Sequence, residues 1–123
     1  MKYALLIYAM PASAESRPPR TGTGVIDNWL DYTVAVRQSG ALLAAEQLDR
    51  TDTATSVCLQ QGERMLTDGP FMETKEHLGG FYLIDVPDLD TALDWAAKMS
   101  IMRYATVEVR PILEGQAWQA SLT

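Results

Sequence analysis

Apolar residues along the chain recur at every second position in some stretches and at helical spacing in others. Residues 2–9, KYALLIYA, are rich in β-favouring side chains and stop at Met10-Pro11, where proline would interrupt a ladder. They form the first predicted strand. From Val25 to Ser39 the positions Ile26, Trp29, Leu30, Thr33 and Val36 fall at helical spacing, and Gly40 stands where a left-handed cap ends a helix. ALLAAEQL, residues 41–48, follows as a short extended segment. TSVCLQQ (55–61), Gly62-Glu63 and RMLT (64–67) read as a hairpin with the glycine in its tip. GFYLIDV, 80–86, is a strand with Phe81 and Leu83 on one face and Tyr82, Ile84 and Val86 on the other, so both faces need a cover. After Pro87, DLDTALDWAAKM opens with acids suited to the positive end of a helix dipole and carries Leu89, Ala92, Leu93, Ala96 and Ala97 as one stripe. ATVEVRPI, 105–112, is the last strand.

The order strand, helix, hairpin, strand, helix, strand matches the split pattern of a ferredoxin-like antiparallel sheet (βαββαβ), an α+β fold with two helices on one face. A single domain over residues 1–123 is expected. It has a flexible loop at 11–24, where three prolines and two glycines fall, and a C-terminal tail at 113–123 with only Trp118 to anchor it. The second face of the sheet keeps apolar side chains that a monomer leaves in water. Burying two such faces together predicts a homodimer, with room for a small-molecule pocket at the junction.

Hydrophobic residues make up 47% of the 123 positions and charged residues 21%, a balance that supports one buried core. A net charge of −6, with Lys and Arg scattered, argues against direct binding of a nucleic-acid backbone. No run approaches the length of a membrane span, and MKYALLIYAMPASA alternates like a strand and carries Tyr3 and Tyr8, unlike a signal peptide. The lone Cys58 cannot form an internal disulfide, which fits a cytoplasmic protein, and its apolar neighbours suggest a core position.

Chemistry is densest in TDGPFMETKEHLGGF, residues 67–81. Asp68 can accept bonds from backbone amides and close the turn at Gly69-Pro70, and Phe71 can pin the loop to the body of the protein. Glu73, Lys75, Glu76 and His77 follow; for Glu73 and Lys75 the simplest role is a solvated charged loop. Asp68, Glu76 and His77 are the candidate catalytic proton carriers, because carboxylates and imidazole exchange protons near neutral pH. One histidine with no second histidine or cysteine nearby argues against a zinc centre, and phosphate-loop, dinucleotide and nucleophile-elbow motifs are absent, so no metal or cofactor is expected. On the last strand, alternation sends Val107 and Val109 to one face and Glu108 and Arg110 to the other. That charged pair is either an ion pair or part of an anion site. In the second case Arg110 and Glu108 share a pocket with Phe71 and Glu73 of the loop and with Trp29 and Tyr32 of the first helix, although aromatic residues at helical spacing are more often core.

DGPFMETKEHLGGFYLIDVPDLDTALDWAAKM followed by VEVRPI resembles the YCII-related family, in its DGPF-domain branch, and the likeness extends from KYALLIY to Ile112. Asp68, Gly69, Pro70, Phe71, Glu73, Thr74, Lys75, Glu76, Gly79 and Gly80 match that branch. The resemblance implies a dimeric ferredoxin-like domain of the α+β-barrel type, similar to muconolactone isomerase. Some relatives are enzyme-like, with a histidine and an aspartate in a pocket, and one branch resembles a dehalogenase of chlorinated muconolactones. In the enzyme-like branch the histidine lies on the first helix, where this chain has Asp27, Trp29 and Asp31. Members of the DGPF branch are commonly encoded beside extracytoplasmic-function sigma factors, which implies a signalling role. Two expectations follow. One is an isomerase or lyase of a small carboxylated substrate, with Asp68 or Glu76 as proton acceptor and Arg110 on the carboxylate. The other is a non-catalytic ligand-sensing or protein-interaction module with a sigma factor as partner.

Overall fold

A computed structural model of the chain describes residues 1–9, 29–70, 76–99 and 105–122. In chain order these form β1 (Lys2–Ala9), α1 (Trp29–Gln38), β2 (Leu42–Gln47), β3 (Thr55–Gln60), β4 (Glu63–Asp68), β5 (His77–Asp85), α2 (Leu89–Ala97) and β6 (Ala105–Pro111), with 3-10 turns at Thr51–Thr53 and Ala117–Leu122. Four strands make one sheet in the order β2-β5-β1-β6, and every neighbouring pair in it is antiparallel. That order is ferredoxin-like. β3 and β4 pair only with each other, as a hairpin inserted between the second and third strands of the fold. The short segment after α1 therefore completes the main sheet, and the hairpin stands outside it.

Local chemistry explains the boundaries. Gly40 adopts φ +82°, ending α1 in the left-handed conformation that glycine takes without cost. β2 then lies very close to β5, because Gly80 has no side chain: a Cβ there would sit 2.8 Å from the Glu46 carbonyl oxygen. α2 starts at Asp88, whose carboxylate accepts from the Thr91 N–H at 2.8 Å and from its hydroxyl at 2.7 Å. At the hairpin tip, Gln61 (φ 51°) and Gly62 (φ 80°) are both left-handed, the geometry of a two-residue turn that matches strand twist.

Both helices cover the face of the sheet that carries Tyr3, Leu5, Ile7, Tyr82 and Ile84, and Tyr32, Val36, Ala92 and Met99 close the core over it. Tyr32 is its pivot. Its ring meets Tyr82 edge-on at 5.1 Å and Trp95 at 6.1 Å, and its hydroxyl donates to the Trp95 carbonyl at 2.8 Å. Tyr32 is thus core rather than pocket lining. The predicted stripes hold in part: Val36, Ala92 and Ala96 face the core, whereas Leu30 is 72% exposed and Leu89 and Leu93 face solvent, and Tyr32, Trp95 and Met99 join the inward side. Val107 and Val109 pack against this core, as alternation along β6 requires.

Two further expectations are corrected. Cys58 is exposed on β3, because no described layer packs over the hairpin. Trp118 keeps 63% of its surface in water and anchors little. The loop at 11–24 and the predicted first turn of α1 lie outside the described residues.

Candidate functional site

A cleft of about 640 Å³ opens where the chain leaving β2, the base of the hairpin and the start of β5 meet. Tyr8, Arg50, Thr51, Pro70, Glu76 and His77 are among the residues that line it. Each wall is fixed by backbone. Leu48 N–H donates to the Gly79 carbonyl at 2.9 Å, carrying the main sheet's pairing one residue past β2. Thr53 N–H to Arg50 O (3.0 Å) and Ala54 N–H to Thr51 O (3.1 Å) wind the next residues into a 3-10 turn. Gly69 N–H donates to Ala54 O at 2.6 Å, and the Ser56 hydroxyl donates to Gly69 O at 2.8 Å, closing the hairpin base. Gly69 has φ +97°, which a larger residue adopts only under strain.

His77 is the first residue of β5, paired with Ala9, and a register shift between Ile7 and Tyr8 adjusts the strand just beyond it. Its Nδ1 lies 3.1 Å from the Thr51 hydroxyl. That bond orients the ring and leaves Nε2 with no described partner. Glu76 lies beside it in the chain, with the Thr106 hydroxyl at a long 3.5 Å from its Oε1. Among the described residues the cation at the cleft is Arg50, 3.3 Å from Asp52 in a solvent-exposed pair that a ligand can replace at little cost. Among the described residues no group of three or more His, Cys, Asp or Glu is placed to hold a metal ion.

The structure brings His77 and Glu76 together and sets Asp68, Glu108 and Arg110 elsewhere. Asp68 ends β4 on the exposed hairpin; no described residue hydrogen-bonds its carboxylate, and the amides of residues 71–75 lie outside the described residues. Glu108 and Arg110 form a 2.7 Å ion pair within β6, and that hydrogen bond holds the guanidinium above its ordinary value. Arg110 pairs with Ala4 and His77 with Ala9, so they stand five residues apart along the sheet, about 17 Å at about 3.4 Å per residue. Phe71, Glu73 and the Trp29 side chain lie outside what the structure describes. Arg50 and Thr51 escaped the sequence reading; the available signal was the polar turn LDRTDTA, which puts a cation just before the hairpin.

Sheet order, helix placement and the end-of-sheet cleft define a ferredoxin-like α+β protein carrying an oriented histidine. Residues 1–116 match the YCII-related domain, and the chain belongs to that family. It is 44% identical over 77 residues to an uncharacterised protein of Rhizobium meliloti (strain 1021), a match covering 61% of this chain and 62% of that protein. The chain thus matches about three-fifths of the length of this relative. Among the described residues no helix is long and apolar enough to cross a membrane.

Proposed function

We propose that this is a cytoplasmic homodimer that binds a small carboxylated molecule in the cleft and moves a proton on it, as isomerases and lyases do. The observation that carries the reading is His77, oriented by Thr51 at 3.1 Å with no described partner at Nε2, in a cleft that also holds Arg50 and Glu76. Arg50 exchanges Asp52 for the substrate carboxylate. Nε2 of His77 takes a proton from the carbon next to a double bond of the substrate, the C–H electron pair forms a new double bond as the old one opens, and the far carbon of the old double bond takes the proton back from the imidazolium. Glu76 is the second proton carrier. The exposed thiol of Cys58 suits a reducing compartment.

The test is a panel of small hydroxy, keto and unsaturated carboxylic acids, read by thermal shift and by deuterium incorporation from solvent. Arg50→Ala is expected to lose the shift. His77→Ala keeps the shift and loses exchange by about 100-fold or more. Asp68→Asn keeps both. Undiminished exchange in His77→Ala, or a wild-type protein that answers to none of the acids, refutes the enzyme.

A second reading, a ligand-sensing or protein-interaction module acting with a sigma factor, draws support from the uncovered apolar side chains of the hairpin. It predicts a thermal shift with no exchange in any variant.

A further inference from the structure

We infer that the β3–β4 hairpin is an exchanged arm, whose apolar face packs on the uncovered face of the main sheet in a second copy of this chain. This rests on the homodimer of the preceding reading and names the surface that makes it. Two strands alone are marginal in water and need a third layer to persist. All of β4 is exposed, and on β3 only Ser56 is partly covered. The register puts Val57 opposite Leu66 and Leu59 opposite Arg64, so Val57, Leu59 and Leu66 share one face, at 59%, 74% and 58% exposure. The hairpin presents this stripe with no described partner.

The same chain carries a second apolar surface over which no described layer packs. Opposite the helix-covered face, the sheet aligns Glu46, Phe81, Leu6 and Glu108 in one row and Ala44, Leu83, Ala4 and Arg110 in the next. Leu6, Phe81 and Leu83 stay only half-buried there, while Leu5 and Ile84 on the covered face are fully buried. A twofold exchange covers both surfaces in both copies at once.

Charge supports the second copy as the occupant. On the hairpin's apolar face the cation Arg64 lies near the tip and the anion Asp68 at the base, four residues apart, about 14 Å. On the sheet, Glu46 and Arg110 flank the apolar patch. They are three strand spacings and two residues apart, about 16 Å. Arg64 can therefore meet Glu46 while Asp68 meets Arg110, with the hairpin lying across the strands as in orthogonal sheet packing. One bond to Glu108 leaves Arg110 further N–H groups for Asp68.

Sedimentation equilibrium at micromolar concentration, with circular dichroism to confirm folding, is the first test. Wild-type protein is expected at the mass of two chains. Leu59→Asp, at a solvent-facing position, is expected to weaken association by about 100-fold or more, since the twofold repeats the lost contact. In the second test, Leu59→Cys in a Cys58→Ser background carries a benzophenone photocrosslinker, in a mixture of isotope-labelled and unlabelled copies. Cross-links between copies, from the hairpin to residues 4–8 or 78–83, support the exchange. A two-chain mass retained by Leu59→Asp, or cross-links to α1 or α2, overturns the arm and leaves a dimer built otherwise. A one-chain wild-type mass overturns both the arm and the homodimer, whichever other protein the hairpin then captures.

Discussion

Replacing Gly80 by alanine tests whether the closeness of β2 to β5 sets the geometry of the cleft. The added Cβ would meet the Glu46 carbonyl oxygen at 2.8 Å, the Gln47 Cα at 3.4 Å and the Glu46 carbonyl carbon at 3.7 Å. The first contact is about 0.6 Å too short, and its partner is backbone, which cannot rotate aside. Overpacking of this kind costs about 1–3 kcal/mol, and distorting a ladder hydrogen bond adds about 1 kcal/mol. Loss of glycine's freedom in the unfolded chain offsets about 0.4–1 kcal/mol. The net expectation is a loss of about 2 kcal/mol, or about 6–10 °C in Tm for a domain of this size. Gly79→Ala is the control, because its Cβ would meet nothing closer than the Ile7 carbonyl at 3.9 Å. Urea unfolding followed by tryptophan fluorescence reads both. Displacing β2 also moves the turn that follows it, so Gly80→Ala should loosen the Thr51–His77 contact, visible as a shift of the His77 ring signals in NMR. Equal stability of the two variants, within about 0.5 kcal/mol, would refute the argument from close approach.

The remaining predictions concern the helices. Thr91 lowers the Asp88 pKa through its hydroxyl first and its backbone N–H second, so the cap's contribution is complete above the ordinary aspartate value of 3.8 and is lost as pH falls through the depressed one. Asp88→Ala should therefore lower Tm at neutral pH, and the gap should close on acidification; a gap constant with pH would refute the cap. Tyr32→Phe removes the donor to the Trp95 carbonyl inside the core and should cost about 1–2 kcal/mol in urea unfolding. Burial first, and Tyr82 second, raise the Tyr32 pKa above 10.0, so the native state binds the extra proton and stability falls as pH rises past that value. Urea midpoints from about pH 8 to 11 should fall less steeply in Tyr32→Phe than in the parent.

Elements whose apolar positions match their period were legible from residue identity. β1 and β6 run close to their predicted bounds, and Gly40 ends α1 as expected. The orientation of the helices was legible only in part: Val36, Ala92 and Ala96 face the core as their spacing predicts, but the packed rings of Tyr32, Tyr82 and Trp95 take the inward places that stripe-counting gave to Leu30, Leu89 and Leu93. ALLAAEQL carried little strand propensity, and its place in the sheet depends on Gly80, some thirty-five residues away, leaving room for it. The site divides the same way. His77 and Glu76 could be named from residue type, but pairing them with Arg110 required knowing the register of β1 against β5 and β6, which separates them. Arg50 enters the cleft only because the Leu48–Gly79 and Ala54–Gly69 backbone bonds fold a polar turn against the start of β5.

These placements give the Asp68-Gly69-Pro70 sequence a division of labour that a catalytic reading of the loop does not. Asp68 shares the face of the hairpin that carries Val57 and Leu66, where the proposed exchange would give it Arg110 of the second copy as counter-charge. Gly69 supplies the left-handed turn, with its N–H on Ala54 and its carbonyl on Ser56. Pro70 stands in the wall of the cleft opposite the histidine strand. The arm and the cleft thus share one set of backbone bonds, those that tie Ala54 and Ser56 to Gly69. Ala54 is also the last residue of the turn that positions Thr51 against His77. On the exchange proposed above, an arm held down by a second copy would stiffen that turn and, through Thr51, the imidazole, so that a homodimer would act on the site through the hairpin base even where it lent the cleft no side chain.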